Sequence, residues 1–128
     1  MDFNSIANSF VQHYYATFDG GLATRNNLAS LYHPESMLTW EGKQVQGVPG
    51  IIETISRPEL AVVKHSVTSS DAQPAPGGGV LVAVTGSLAL DNAFDKPMLF
   101  TETFNLQPLP NQPGGFFIYN QILRLVLA

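Results

Sequence analysis

The second half of the chain carries the feature that most constrains its fold. From residue 61 onward, four long segments rich in strand-forming residues alternate with short connections of glycine and proline. Short turns join neighbouring strands that run in opposite directions, so this pattern predicts an antiparallel meander. Its strands are predicted at residues 61–73, 80–91, 98–108 and 116–128, with an earlier hairpin at 37–40 and 43–46.

Residues before Pro58 have the periodicity of helices instead. Apolar residues from Phe3 to Phe18 recur at steps of three and four, which is typical of an amphipathic helix. Shorter helices are predicted at residues 24–32 and 49–56, each followed by a proline that ends it. Helices first and strands after them indicate an α+β fold with the helices on one side of the sheet.

The charge content bears on what covers the other face of the sheet. Charged residues make up only 12% of the chain, well below the usual quarter. The predicted helices are too short to cover both faces of such long strands. The uncovered face either meets a second copy or stays exposed, and the shortage of charge favours a second copy. The 128 residues therefore predict one domain, residues 1–128, that forms a homodimer through its sheet.

Composition and motifs exclude several classes of function. The absence of cysteine excludes disulfides, thiol catalysis and thiolate metal sites. The three histidines are not at ligand spacing, so no metal and no cofactor is expected. A net charge of −4 argues against a nucleic-acid partner and favours a basic protein partner. No apolar run reaches the roughly 20 residues of a membrane span, and a soluble, intracellular protein is expected.

Two carboxylates at predicted strand ends leave an acid–base site open. Glu41 and Asp91 could lie at the mouth of a curved sheet, where an apolar surrounding would raise a carboxyl pKa and let it take a proton from carbon. The alternative is that both are solvated turn residues. The sequence pattern alone does not decide between them.

The segment LTWEGKQVQG at residues 38–47 places the only tryptophan beside a carboxylate at a turn. It resembles the strand–turn–strand of the nuclear transport factor 2 family, small carriers that return the GTPase Ran to the nucleus. Other segments resemble that family in the same order, so the resemblance covers nearly the whole chain. These segments are FVQHYYATFD (10–19), SLYHPESMLTWEG (30–42), HSVTSSDAQPAP (65–76) and YNQILRL (119–125).

The resemblance implies a specific fold and binding site. The family fold is a cone of bent antiparallel sheet around three helices, which dimerises through the sheet. An apolar cavity at the mouth of the cone, rimmed by acids, receives an aromatic side chain of GDP-bound Ran. Trp40 is then expected to line the cavity, and the turn at Gly42 to aim Glu41 at the rim. Asp91 matches a rim aspartate, and Asp95 is expected to replace a second one where this chain has Ala93.

Five further positions are assigned to the Ran site by the resemblance. His65 matches a cavity-side histidine, although it also fits an ordinary half-buried strand position. Met98 and Ile122 fall where the family has apolar cavity residues. Leu60 and Leu123 stand where the family has aromatic rings, and Gln121 stands where its last strand has an aspartate. Two missing rings are expected to widen the cavity or to change which aromatic side chain fits it.

The family also binds FxFG repeats of nucleoporins through an aromatic residue at the start of the first helix. Phe3 holds that place with Ile6 one turn later, although Phe3 could equally pack the helix end. The implied protein is a non-enzymatic carrier in cytoplasm and nucleus, concentrated at nuclear pores. One alternative is an adaptor for messenger RNA export that pairs with a related domain. The other is an isomerase or dehydratase, which would need a carboxylate deep in the cone, whereas the acids are expected at strand ends.

Overall fold

The computed structural model describes residues 2–91 and 93–126. Over these ranges the chain forms three α-helices and six strands. The helices are α1 (Phe3–Asp19), α2 (Leu22–Arg25) and α3 (Val48–Ile55). The strands are β1 (Tyr32–Trp40), β2 (Lys43–Gln46), β3 (Val63–Ala75), β4 (Gly79–Leu90), β5 (Met98–Pro108) and β6 (Phe116–Val126). Short 3₁₀ turns span Asn26–Leu31, Pro58–Leu60 and Pro76–Gly78.

The first helix forms as predicted and begins at a side-chain cap. The Asn4 backbone N–H donates to Oδ1 of Asp2 at 3.3 Å, which satisfies one of the free donors at the helix start. Its buried side chains repeat at steps of three and four: Ala7, Val11, Tyr14, Tyr15 and Phe18. This face packs on the sheet, and the predicted α+β layout is confirmed.

The second predicted helix is shorter than expected. Only residues Leu22–Arg25 are α-helical, and a 3₁₀ turn continues to Leu31 before β1 begins at Tyr32. The prediction extended the helix because Leu28 and Leu31 have helical spacing. In the structure both residues belong to the 3₁₀ turn, and Leu28 is buried while Leu31 is half-buried.

The sheet is mixed, which is the main difference from the predicted antiparallel one. Its strand order is β2-β1-β6-β5-β4-β3, and β3 to β6 form the predicted antiparallel meander. Strand β1, however, pairs with β6 in parallel. The rule that short turns give antiparallel neighbours applies to consecutive strands only, and β1 and β6 are far apart in the chain.

Irregularities in strand pairing bend the sheet around the helices. The pairing register shifts between Val67 and Ser69 on β3 and between Asn105 and Leu106 on β5. Such bulges bend the strand and increase its twist. Gly86 faces the first of them, where a Cβ atom would lie 2.2 Å from the Ser66 carbonyl oxygen. The close approach of the two backbones therefore requires glycine there.

A buried arginine joins the elements at one end of the cone. Arg25 is fully buried, and its guanidinium donates to the backbone carbonyls of Phe18, Ile55 and Leu60. Its Cζ also lies 4.0 Å from the centroid of the Phe18 ring. One side chain thus ties the ends of α1 and α3 to the turn at Pro58–Leu60. Within the described ranges, no helix has both the length and the apolar character needed to cross a bilayer.

Candidate functional site

An apolar cavity of about 150 Å³ opens at the end of the cone where Trp40 lies. Side chains from α1, from the turn around Leu60 and from five strands converge on it. Most are apolar, and Arg57, Glu59 and His65 supply its polar groups. Its lining consists of Phe18, Trp40, Arg57, Glu59, Leu60, Val63, His65, Leu88, Leu90, Met98 and Leu125.

The tight turn after β1 separates Trp40 from Glu41. Glu41 has φ of 50° and Gly42 has φ of 86°, so both turn residues are left-handed. That is the geometry of a two-residue hairpin turn, and Trp40 pairs directly with Lys43 across it. The turn was expected to begin at Gly42, but in the structure it begins one residue earlier, at Glu41. Trp40 consequently faces the cavity while Glu41 is turned toward the end of β6.

Hydrogen bonds hold Glu41 in that position. Its backbone N–H donates to the Leu123 carbonyl at 3.1 Å, and its Oε2 accepts the Leu125 N–H at 2.9 Å. Because the Leu125 side chain lines the cavity, the carboxylate lies directly beside the opening. Arg124 approaches the same oxygen at 3.8 Å, but its side chain is 61% exposed. Such an exposed, long contact holds the carboxylate only weakly.

His65 forms part of the cavity wall and is fixed from behind by Asp19. The Asp19 carboxylate accepts the His65 backbone N–H at 2.7 Å and lies 2.6 Å from the ring Nδ1. A carboxylate partner favours the tautomer with the proton on Nδ1. The ring is almost fully buried, with the Tyr15 ring tilted by 42° against it at 4.6 Å between centroids. His65 therefore lines the cavity, on the side where the resemblance placed it.

The other predicted apolar positions divide into two groups. Leu60 and Met98 line the cavity as expected. Leu123 is 1% exposed and belongs to the core beneath it. The expectation that Ile122 lies at the cavity is wrong, because Ile122 is 49% exposed and lines a groove on the opposite face of the sheet. Leu125 occupies the cavity position instead.

A bulge in β6 explains the misplacement of Ile122. Asn105 pairs with Asn120, but the next residue, Leu106, pairs with Ile118, so β6 has one extra residue there. Strict alternation from the buried Ile118 would bring Ile122 to the inner face. The extra residue reverses that order, and Gln121 and Leu123 are buried instead.

The remaining predicted rim acids lie on the connection between β4 and β5. Asp91 and Asp95 are both exposed there. The residues on either side of this connection, Leu90 and Met98, line the cavity. Neither aspartate lines the cavity, but the connection that carries them joins two residues that do.

A carboxylate deep in the cone was not foreseen. Glu102 on β5 is 2% exposed, with Oε1 accepting from the Tyr15 hydroxyl at 2.8 Å and Oε2 accepting from Gln121 Nε2 at 2.7 Å. Tyr14 and Tyr32 bond the same Gln121 amide. Burial raises the pKa of Glu102, and bonds from Gln121 and Tyr15 and the nearby His65 partly offset this.

Two observations make Glu102 a structural group. It is bonded to the buried Tyr15 and does not line the cavity. Both of its oxygens are already occupied by hydrogen bonds. Alternation in the segment FTETF, where Glu102 stands between Phe100 and Phe104, could have identified it as an inner-face residue. The expectation that the acids lie at strand ends is wrong for this one.

A second groove, of about 410 Å³, lies beside the first half of α1. Ile6 lines this groove, whose surface is mainly apolar. Phe3 does not line it; Phe3 is half-buried and packs against the core nearby. The groove is formed by α1, the turn before β1, β5 and the start of β6. Its lining consists of Ser5, Ile6, Ser9, Phe10, His13, Leu31, Leu106, Gly114 and Phe116.

A third groove, of about 460 Å³, lies on the face of the sheet opposite the helices. No charged side chain is among the described residues that line it. Exposed apolar residues, including Leu81 and Ile122, form part of its surface. The full lining is Pro74, Ala75, Pro76, Leu81, Thr103, Asn105, Asn120 and Ile122.

A curled sheet around three helices, open at an apolar cavity, defines a small cone-shaped class of domain. Residues 6–125 match the family model described as "Nuclear transport factor 2 (NTF2) domain". The nuclear transport factor 2 of Emericella nidulans is 46% identical over 126 residues, 98% of this chain and 96% of its own. The structure of nuclear transport factor 2 from Cryptosporidium parvum superposes with a TM-score of 0.86 at 41% identity, covering 97% of this chain and 94% of that one. The chain therefore belongs to the nuclear transport factor 2 family.

The same fold also occurs in a protein that is not named as a nuclear transport factor. The yeast UBP3-associated protein BRE5 superposes with a TM-score of 0.84 at 25% identity, over 98% of each chain. Membership of the family supports a role in nuclear transport. The fold by itself does not define the partner.

Proposed function

We propose that this chain is a non-enzymatic carrier that binds the GDP form of Ran and takes it into the nucleus. The cavity beside Trp40 is the observation that carries the proposal. Its volume is about 150 Å³, and an apolar cavity of roughly that size holds one benzene ring. An aromatic side chain of Ran would fill it as an anchor, shielded from water by the surrounding rim.

Acidic side chains around the cavity supply the second part of the interface. Glu41 lies beside the opening through its bond to Leu125, and Asp91 and Asp95 lie on the connection next to it. Carboxylates around an apolar pocket attract a partner whose aromatic anchor is flanked by basic side chains. The net charge of −4 favours the same type of partner over long range.

The uncharged groove on the sheet is the proposed homodimer interface. It lies on the face opposite the helices, and exposed apolar residues extend beyond it to Leu99 and Val126. An uncharged groove with exposed apolar residues on the same face is typical of an interface between subunits. The cavity lies on the inner side of the sheet, so a dimer formed through this face leaves it open.

Binding of FxFG nucleoporins is the third part of the proposal. The groove beside Ile6 has the size and apolar lining to receive an aromatic side chain, with Phe3 packed close to its end. Weak contacts of this kind exchange quickly, which suits passage through a pore. The protein would then be found in cytoplasm and nucleus and be concentrated at nuclear pores.

Two other functions have less support. An isomerase or dehydratase would need Glu102 to meet its substrate, but both Glu102 oxygens are bonded within the core. An adaptor that pairs with another domain, in messenger RNA export or otherwise, is favoured only by the likeness to the UBP3-associated protein BRE5. The relatives named as nuclear transport factor 2 are more similar in sequence.

The single tryptophan gives a direct test of the proposed site. Addition of GDP-loaded Ran should shift the indole N–H resonance of Trp40 in a nitrogen–proton correlation spectrum, since this ring lines the cavity. A shift confined to α1 or to the outer face of the sheet, with Trp40 unchanged, would contradict the proposal.

A further inference from the structure

Arg57 occupies a position at the cavity that the acidic rim does not explain. It precedes the turn at Pro58–Leu60, lines the cavity, and is half-buried. Its Cζ lies 5.6 Å from the centroid of the Trp40 ring, within the range of a cation–π contact. Its Nε donates to the Thr54 carbonyl at 2.9 Å, which fixes the guanidinium against α3.

The outer part of this guanidinium has unused donors. Among the described residues, the ion pairs are His65–Asp19 and Arg124–Glu41, and neither includes Arg57. Its one hydrogen bond within that part of the chain is made by Nε. The two terminal amino groups are therefore available, and together they match the two oxygens of a carboxylate.

Arg57 and Trp40 also form the wall between the cavity and a smaller neighbouring pocket. That pocket has a volume of about 100 Å³ and is lined by Trp40, Lys43, Glu53, Thr54 and Arg57. A ring inserted into the apolar cavity would thus pass beside the guanidinium. Any polar group attached close to that ring would lie within reach of it.

We propose that Arg57 makes the cavity selective for a protein segment in which an acidic residue adjoins the inserted aromatic residue. The ring enters the cavity beside Trp40, and the neighbouring carboxylate takes the terminal amino groups of Arg57. This deepens the proposed function, since it rests on the same cavity being the binding site for an aromatic side chain. The partner segment would then carry an acid near Arg57 as well as basic groups near Glu41.

The charges around Arg57 explain why the acid must be attached to the ring. Glu53 and Glu59 face it from either side, Lys43 lies across the smaller pocket, and His65 lies in the cavity wall. Together with the net charge of −4, the two glutamates disfavour a free anion. A carboxylate positioned by an already buried ring avoids that barrier, because its effective concentration at Arg57 is high.

Two capped peptides test this selectivity on the intact protein. One has phenylalanine between two glutamates and the other has phenylalanine between two glutamines, with glycine at both ends. Titration followed by the Trp40 indole resonance should give roughly tenfold tighter binding of the glutamate peptide, the size of one charge-assisted hydrogen-bonded pair. In Arg57→Gln the two peptides should bind alike.

Lys43→Gln is the matched control, because it removes the same charge beside Trp40 from a residue that lines only the smaller pocket. It should keep the preference for glutamate, and Arg57→Lys should keep part of it. Equal binding of both peptides to the wild type would overturn the proposal. So would a preference that survives in Arg57→Gln, an equal loss in Lys43→Gln, or no binding of either peptide.

The same experiment separates this proposal from the proposed function. If the glutamate preference depends on Arg57 but GDP-loaded Ran leaves Trp40 unchanged, the cavity recognises acidic–aromatic segments of another protein. If Ran binds at Trp40 and the peptides show no preference, the carrier function stands and the role given to Arg57 is wrong.

Discussion

The carboxylate of Glu41 accepts the backbone N–H of Leu125 at 2.9 Å, although the two residues are 84 positions apart in the chain. This bond joins the turn after β1 to the end of β6 and places a negative charge beside the cavity. A carboxylate held by a backbone donor needs little reorganisation when a cationic partner arrives.

Replacing that charge tests the rim directly. Glu41→Gln should weaken binding of GDP-loaded Ran by about 1–2 kcal/mol, because it removes the charge from the interface. The fold should persist, since a glutamine oxygen can still accept the Leu125 N–H. Calorimetric titration measures the loss, and Glu35→Gln, at an exposed position on β1, is the control that changes the same charge. Equal affinities for all three proteins would remove Glu41 from the interface.

Glu102 should make stability depend on pH. Burial raises its pKa in the folded state above the ordinary value of about 4.5. The folded state therefore holds a proton that the unfolded state has released, and stability falls as pH rises from 4.5 through the folded-state pKa. Each unit of difference corresponds to about 1.4 kcal/mol.

Glu102→Gln should remove this dependence. The variant should gain stability relative to the wild type as the pH rises above 4.5, as measured by urea unfolding at several pH values. Glu59→Gln, at an exposed position, should follow the wild type throughout. A constant difference between Glu102→Gln and the wild type would mean that Glu102 has no raised pKa in the fold.

Arg25 should be essential to stability without touching a partner. Arg25→Met keeps an apolar stem but leaves the carbonyls of Phe18, Ile55 and Leu60 without their buried donor. Unsatisfied buried groups cost about 1–3 kcal/mol each, so a total loss of at least about 3 kcal/mol is expected. Arg124→Gln, which alters a largely exposed side chain, should change stability by less than about 0.5 kcal/mol. Comparable unfolding midpoints for the two variants would show that the hydrogen bonds of Arg25 to these three carbonyls do not stabilise the fold.

A substitution at Ile122 should change the oligomeric state and leave the cavity unaltered. Ile122→Glu places a charge in the uncharged groove on the outer face of the sheet and should convert the proposed dimer to monomer in sedimentation equilibrium. Gln44→Glu, an exposed change on the edge strand β2, should leave the oligomeric state unaltered. The proposed interface is wrong if Ile122→Glu sediments like the wild type.

Local patterns in the sequence were sufficient to predict the features of the fold that depend on a single helix or on neighbouring strands. The periodicity of α1 and the meander of β3 to β6 could be predicted from these patterns, whereas the positions of Trp40, Leu60, His65 and Met98 at the cavity were implied by the family resemblance. Trp40 and Glu41 point in different directions because a two-residue turn follows β1, and the glycine at position 42 indicates that turn.

Features that depend on pairing between distant segments could not be predicted in the same way. The parallel pairing of β1 with β6 is determined by how the chain crosses the sheet. Ile122 was expected at the cavity from the family resemblance, but one extra residue in β6 turns it to the outer face of the sheet. The position of Arg57 over Trp40 depends on the approach of α3 to the end of β1, which no local pattern encodes.

Calorimetric titration of the protein with Ran in its two nucleotide states tests the central claim most directly. Ran loaded with GDP should bind, and Trp40→Ala should abolish the heat of binding by removing one wall of the cavity. Ran loaded with a GTP analogue should give no heat of binding. Equal binding of both nucleotide forms, or no binding of either, would contradict the assignment of this cavity to GDP-bound Ran.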